Sequence, residues 1–388
     1  MTDRAQDAAG VTPPERLPVS VLTGFLGSGK TTLLRHLLND PALADTAVII
    51  NEFGEVGLDH LLVESANEDM VLLASGCLCC TVRGDLIEAL RRLFKKRWNE
   101  EIPEFRRVMI ETTGLADPAP VIHTLMQDPL IADRFRLDGV VATVDAVNGA
   151  AELDAHEESV KQAAVADRLV LTKCDIADAG TIAALERRLR AINPAAPIVK
   201  AEHGKILASA ILDAGLYNPA TKSLDVQRWL NDEAYRAPHD HDHALDHRHG
   251  HDRDHRHHAR GHDESHTREG THDGPAHPEQ DPHDRNRHDA RIRAFAIRHE
   301  APLDWPKFAD WVEALIAGSG PNLLRMKGVL NVEGAEGPVA VHGVQHLFHP
   351  PVELPRWPDD DRASRIVIVA RDLDPVATTA MFRQFQEP

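Results

Sequence analysis

A chain of 388 residues, 42% of them hydrophobic, is long enough for two domains with cores of their own. It has no apolar run near the roughly 20 residues that span a bilayer, so no membrane partner is expected. A formal charge of −18 argues against a general nucleic-acid binder, which needs a basic face, and four cysteines are too few for a disulfide framework and suit a reducing, cytoplasmic compartment.

Residues 1–16 are polar with mixed charge, lack the apolar core of a signal peptide, and read as a short disordered tail. From residue 17 to about 225 one pattern repeats: a β-branched apolar run, a turn with Gly or Asp, then a helical stretch. The runs are LPVSVLTG (17–24), TAVIINEFG (46–54), RRVMIETTG (106–114), DGVVATVDA (138–146), DRLVLTKCD (167–175) and APIVKAEHG (196–204). Short, nearly continuous apolar strands alternating with helices predict an α/β fold, with a mostly parallel sheet covered on both faces. Functional groups in such a sheet collect at the carboxyl ends of the strands, and each run here has a polar residue or glycine within its last two positions.

The first run leads into GFLGSGKT (24–31), which opens the helical stretch TTLLRHLL and fits G-x-x-x-x-G-K-[ST]. Gly24, Gly27 and Gly29 let the backbone curl so that its N–H groups, with those of Ser28 and Thr32 around the helix start, face phosphate oxygens. Lys30 reaches the β- and γ-phosphates, and the Thr31 hydroxyl ligates Mg²⁺. The third run delivers Glu111 beside the phosphates, where a carboxylate holds Mg²⁺ directly or through water, and Gly114 is placed to offer its N–H to the γ-phosphate. Lys30, Thr31 and Glu111 are thus the candidate catalytic set. The fifth run ends in TKCD: Asp175 can accept two hydrogen bonds from guanine that adenine cannot give, with Lys173 along the base plane. Cys174, between them, is expected to face packing rather than metal. No residue declares itself as the one that orients the attacking water, so slow intrinsic hydrolysis is expected.

GCLCC (76–80) sets Cys77, Cys79 and Cys80 within four positions. Structural zinc sites usually draw ligands from two cysteine segments, and only one exists here; three thiols leave a fourth position open, which suits a metal that must be bound and released. Plain buried thiols, or a strained disulfide between neighbours, are the alternatives. Glu52 first and Glu55 second, in INEFGEVGLD, are candidates for an added ligand; either can equally be a solvated loop acid.

Taken together, GFLGSGKTTLLRHLL, INEFGEVGLD, GCLCC, ETTGLADP and TKCD resemble the CobW-like metallochaperone GTPases, in particular the YjiA type within the SIMIBI class of P-loop GTPases. The resemblance covers the chain apart from its tail and a histidine-rich tract. It implies GTP hydrolysis coupled to handling of Zn²⁺ or Co²⁺, Cys77, Cys79 and Cys80 as metal ligands, and delivery to a client apo-metalloprotein; a homo-oligomer is compatible with it. The rival readings are a cobalt-specific assembly factor for cobalamin synthesis, a passive metal buffer, and a P-loop kinase, which TKCD disfavours. Two positions depart from the wider GTPase pattern: Thr172 stands where Asn is commoner, and Glu111 where Asp is usual.

Fifteen of the 24 histidines lie between His239 and His288, alternating with Asp and Arg and offering almost nothing to bury. Residues 226–290 therefore read as a flexible linker, able to gather metal weakly as a local store or simply tolerated as low-complexity sequence. Residues 291–388 follow a different order: strand (291–299), helix (303–318), two strands joined by EGAEGP, strand (365–372) and a last helix. That predicts a small α+β domain with antiparallel pairing and no catalytic constellation of its own. His342 and His346 are expected on one face of the strand PVAVHGVQHLFH, as ordinary surface or core histidines.

Overall fold

The computed structural model describes residues 16–50, 72–74, 82–212, 291–357 and 360–387. Glu52, Glu55, Cys77, Cys79, Cys80, the tail and the histidine tract lie outside the described residues.

Among the described residues the first sheet has seven strands: β1 (Leu17–Gly24), β2 (Thr46–Ile50), β3 (Leu72–Ala74), β4 (Arg107–Glu111), β5 (Phe135–Asp145), β6 (Arg168–Thr172) and β7 (Ile198–Lys200). Their order is β3-β2-β4-β1-β5-β6-β7, and every pairing is parallel. The six sequence runs are all strands: β1 fills its run, β5 begins three residues before its run, and the other four are shorter because their polar tails turn away from the ladder. β3 was not expected: three residues of LLA are too few to show a period.

Alternation along each strand feeds two faces. Val108 and Ile110 join one core with Val19, Val21, Ile49 and Val140, under α2 (Val82–Trp98), α3 (Ala119–Gln127) and α6 (Glu157–Val165). Met109 joins the other with Leu22, Val48 and Val170, under Leu33, Leu34 and Leu37 of α1 (Lys30–Leu37). Between these elements run α4 (Pro129–Arg134), α5 (Gly149–Ala155) and α7 (Ala179–Ile192). Because β1 lies between β4 and β5, the carboxyl ends of three strands converge where α1 begins.

The second sheet is antiparallel, in the order β11-β10-β9-β13-β8, with β12 (Val352–Glu353) paired to β10. It is built from β8 (Ile292–His299), β9 (Leu323–Leu330), β10 (Val339–Val344), β11 (Leu347–Phe348) and β13 (Ser364–Arg371), with α8 (Trp305–Ser319) and α9 (Pro375–Gln386) against one face. Trp311, Phe308, Phe382 and Ile368 form the core there. The opposite face meets the first sheet's helices: Ile292, Leu324, Val344 and Val369 enter the same hydrophobic cluster as Val160 and Ala164 of α6.

PVAVHGVQHLFH is not one strand. The chain reverses at Gln345, whose φ is +54°, so that Val344 pairs with Leu347. His342 is buried opposite Lys327, whereas His346 sits in the turn with its ring 5.1 Å from that of His123. The two histidines do not share a face.

Candidate functional site

The loop from Gly24 to Gly29 is shaped by two glycines whose geometry no other residue fits easily. A Cβ on Gly24 would lie 2.2 Å from Thr143 Oγ1, and Gly29 has φ +88° as it caps α1. Ser28 is fully buried, with its hydroxyl 2.6 Å from that of Thr143 on β5. Lys30 folds back over the loop: its Nζ donates to the carbonyls of Gly24 and Phe25, each at 2.9 Å. A cation held by two carbonyls over a curl of N–H groups forms a cradle for phosphate.

At the next helical position, Thr31 donates its hydroxyl to Glu111 Oε1 at 2.7 Å, and Glu111 is 3% exposed. Both are hard oxygen donors, and neighbouring ligands of an octahedral ion bound at 2.0–2.1 Å are themselves about 2.9 Å apart. The pair therefore fits Mg²⁺ as two ligands of one ion. Gly114 lies against the loop as well, where a Cβ would come within 2.7 Å of Leu26.

Thr172 ties the far side of the site to this loop. Its hydroxyl, at the position where Asn is commoner in the wider GTPase pattern, donates to the Ser28 carbonyl at 2.7 Å. Lys173, with φ +58°, pairs with Asp145 at 2.6 Å. Burial alone would raise the Asp145 carboxyl, but Lys173, Asn148 and main-chain donors hold it below its ordinary range. Asp175 accepts from the His203 main-chain N–H at 3.3 Å, and the His203 ring nitrogen lies 3.1 Å from its other oxygen; the main-chain bond depresses the Asp175 carboxyl. Gly204 closes this turn against Thr32, with 2.9 Å from a built Cβ to Thr32 Cγ2. Cys174 packs against the core, and burial pushes its thiol up.

The sequence-predicted residues thus fall into two groups on one rim. Lys30, Thr31, Glu111 and Gly114 gather at the phosphate end. Thr32, Lys173 and Asp175 gather at the other, with Thr172 as the bond between the two. Asp145, Thr143 and His203 were missed. Asp145 ends an apolar strand just as Glu111 does, so the same criterion would have found it; nothing in EHG marks His203, which reaches Asp175 only because β7 lies beside β6. Among the described residues, no group of three or more His, Cys, Asp or Glu is placed to hold a metal ion.

A parallel sheet with a glycine-rich loop cradling a lysine at the end of β1, and a Thr–carboxylate pair beside it, defines a P-loop nucleotide-binding protein. Residues 18–200 match the CobW/HypB/UreG nucleotide-binding domain, and residues 292–386 match the cobalamin synthesis protein CobW C-terminal domain. The chain is 31% identical over 366 residues to a protein of Escherichia coli named zinc chaperone YjiA, spanning 94% of this chain and 98% of that one. It is 29% identical to the zinc chaperone CobW of Pseudomonas aeruginosa, over 98% of this chain and 94% of that one. A crystal structure described as Zn(II)-bound YjiA GTPase from E. coli superposes with a TM-score of 0.64 at 26% identity, covering 96% of this chain and all of the other. The chain belongs to the CobW/HypB/UreG family of P-loop GTPases.

Proposed function

We propose that this protein hydrolyses GTP to GDP and phosphate to drive capture and release of Zn²⁺, which it delivers to a client apo-metalloprotein in the cytoplasm. The observation that carries the reading is the Thr31–Glu111 pair beside the Lys30 cradle, at the start of α1 and the end of β4. Lys30 and the loop's N–H groups bind and orient the phosphates, and Thr31 with Glu111 hold Mg²⁺. When bound, that ion neutralises charge developing on the β- and γ-oxygens. Asp175, oriented by His203, accepts from guanine.

The zinc is cargo, and Cys77, Cys79 and Cys80, with Glu52 or Glu55, are its proposed ligands. The names of the relatives, both zinc chaperones, favour zinc over cobalt as that cargo. Residues 17–225 form the nucleotide domain in this reading, 226–290 the histidine-rich linker and 291–388 the C-terminal domain.

Zinc affinity measured anaerobically with GTP, GDP and no nucleotide tests the coupling. Linkage requires that, if GTP tightens zinc binding, zinc tighten GTP by the same factor, on the order of 5- to 150-fold. Cys79→Ser should abolish that factor while GTP affinity without metal stays unchanged. Equal zinc affinity in GTP and GDP would leave a nucleotide-binding metal buffer.

A further inference from the structure

The loop that follows Glu111 is held from outside the nucleotide pocket by Gln162. Gln162, on α6, is 1% exposed, and its Nε2 donates to two carbonyls of that loop, Gly114 at 3.2 Å and Ala116 at 2.9 Å. Two carbonyl acceptors fix the orientation of the amide, since the flipped amide would set its oxygen against both. That orientation leaves Oε1 buried with no hydrogen-bond partner among the described residues. A half-satisfied buried amide calls for an explanation other than packing. On the pocket side the loop is pressed against Leu26 at Gly114, so its position is bounded by α6 and by the phosphate-binding loop.

The same loop is tied to the second sheet. Asp117 receives a long contact, 3.4 Å, from Gln345 Nε2 in the β10–β11 turn, and its carboxylate lies 3.9 Å from Lys161 on α6. α3 begins two residues later and carries His123, whose Nε2 meets the Val344 carbonyl of the same turn at 3.0 Å. A segment at the γ-phosphate end of the site thus has one anchor on α6 and another on the C-terminal sheet.

We propose that Gln162 is a positioning residue for GTP hydrolysis: it sets where Gly114–Ala116 lies against the γ-phosphate, and the β10–β11 turn makes that position depend on the C-terminal sheet. This rests on reading Lys30, Thr31 and Glu111 as the phosphate and Mg²⁺ site. A carbonyl fixed to α6 fixes its whole peptide plane, so the loop's dipoles are oriented before the nucleotide arrives. In that reading the base and the first two phosphates, shared by GDP and GTP, are bound by the Lys30 loop and the Asp175 end of the site, so the γ-phosphate and its transfer should feel the loss of this loop's position most.

The experiment uses the full chain with Gln162→Leu and, separately, Gln345→Gly, which removes the turn's amide and suits its positive φ. GTP turnover is measured with the affinities for GDP and a non-hydrolysable GTP analogue, and folding is checked by thermal unfolding. Gln162→Leu should lower kcat on the order of 10- to 100-fold, as a misplaced group does, and weaken the analogue while GDP affinity stays within about twofold. Gln345→Gly should move the same quantities in the same direction by a smaller factor. Unchanged kcat in folded Gln162→Leu, or equal weakening of GDP and the analogue, overturns the proposal. If Gln162→Leu does not fold, unchanged kcat in Gln345→Gly overturns it alone. Lys30→Ala with intact GTP affinity would instead overturn the site reading beneath it.

Discussion

Asp167 at the head of β6 and Arg325 in β9, 158 residues apart in the sequence, meet at 2.5 Å with side chains 1% and 4% exposed. Lys327 approaches the same oxygen at 2.5 Å, and the other oxygen accepts the Val140 N–H at 2.9 Å. Burial would raise this carboxyl, but Arg325 and Lys327 hold it far below its ordinary range. One carboxylate therefore joins the two sheets by charge. Its strand ends at Thr172, which is bonded to the phosphate-binding loop.

Asp167→Asn leaves two buried cations without their counter-charge and should destabilise the fold by about 3–5 kcal/mol, measured by urea unfolding. A depressed carboxyl contributes stability above its unfolded value of 3.8, and that contribution is lost as pH falls below it. The gap between wild type and Asp167→Asn should therefore be full at pH 7 and narrow below about pH 4. A constant gap from pH 7 to pH 3 would contradict the assignment.

Asp175→Asn should erode the preference for GTP over ATP by on the order of 10- to 100-fold, since an amide cannot accept both guanine donors. Competition between the two nucleotides for wild type and variant gives the ratio directly. A variant with undiminished preference places base recognition elsewhere.

Thr31→Ala removes one hard oxygen from the Mg²⁺ pair, and Glu111→Gln removes the negative charge of the other. Both should raise the Mg²⁺ concentration needed for half-maximal turnover and lower kcat by on the order of 10²-fold or more, as loss of a charge-stabilising group does. GDP affinity measured without Mg²⁺ should hardly change, because neither side chain belongs to the Lys30 cradle. An unaltered Mg²⁺ requirement in both variants would remove them from the metal site.

Glu152 on α5 lies near Lys30, Lys173 and Asp145; its Oε2 is buried with no hydrogen-bond partner among the described residues. Burial, and then the charge of Asp145, push its carboxyl up to about 7. A raised carboxyl favours the fold below its unfolded value of 4.5, and that advantage is lost as pH rises through about 7. Glu152→Gln, which keeps the shape and removes the ionisation, should gain about 1–2 kcal/mol relative to wild type at pH 8, allowing for solvent screening, and almost none at pH 4.5. Thermal unfolding at the two pH values reads the difference; an equal effect at both would mean that the carboxyl titrates normally.

Much of the architecture was legible because it is written locally. Six β-branched runs, a glycine-rich loop after the first and a change to an antiparallel pattern beyond residue 290 each follow from residues close together in the chain. β3 escaped because three residues carry no period. The break at Gln345 escaped because GVQH lacks the Asn-Gly or Gly-rich signal of a tight hairpin; only the demand that β11 pair back on β10 holds Gln345 at φ +54°.

The site divides in the same way. Lys30 and Thr31 follow from their loop, and Glu111 from the rule that strands of a parallel sheet present chemistry at their carboxyl ends. By itself, then, the sequence determined the strands, the phosphate loop and the residue types offered at each strand end, because propensity and pattern act within a few neighbours. Only the tertiary structure decided which of those ends meet. Strand order set β4 and β5 beside β1, so that Thr31 finds Glu111 and Ser28 finds Thr143; it set β7 beside β6, so that His203 finds Asp175. The packing of the second sheet gave Asp167 its cations and the Glu111 loop its second anchor. Those contacts span up to 228 residues, and no local pattern encodes them; they exist because burying two apolar faces together leaves one arrangement in which the buried charges are paired.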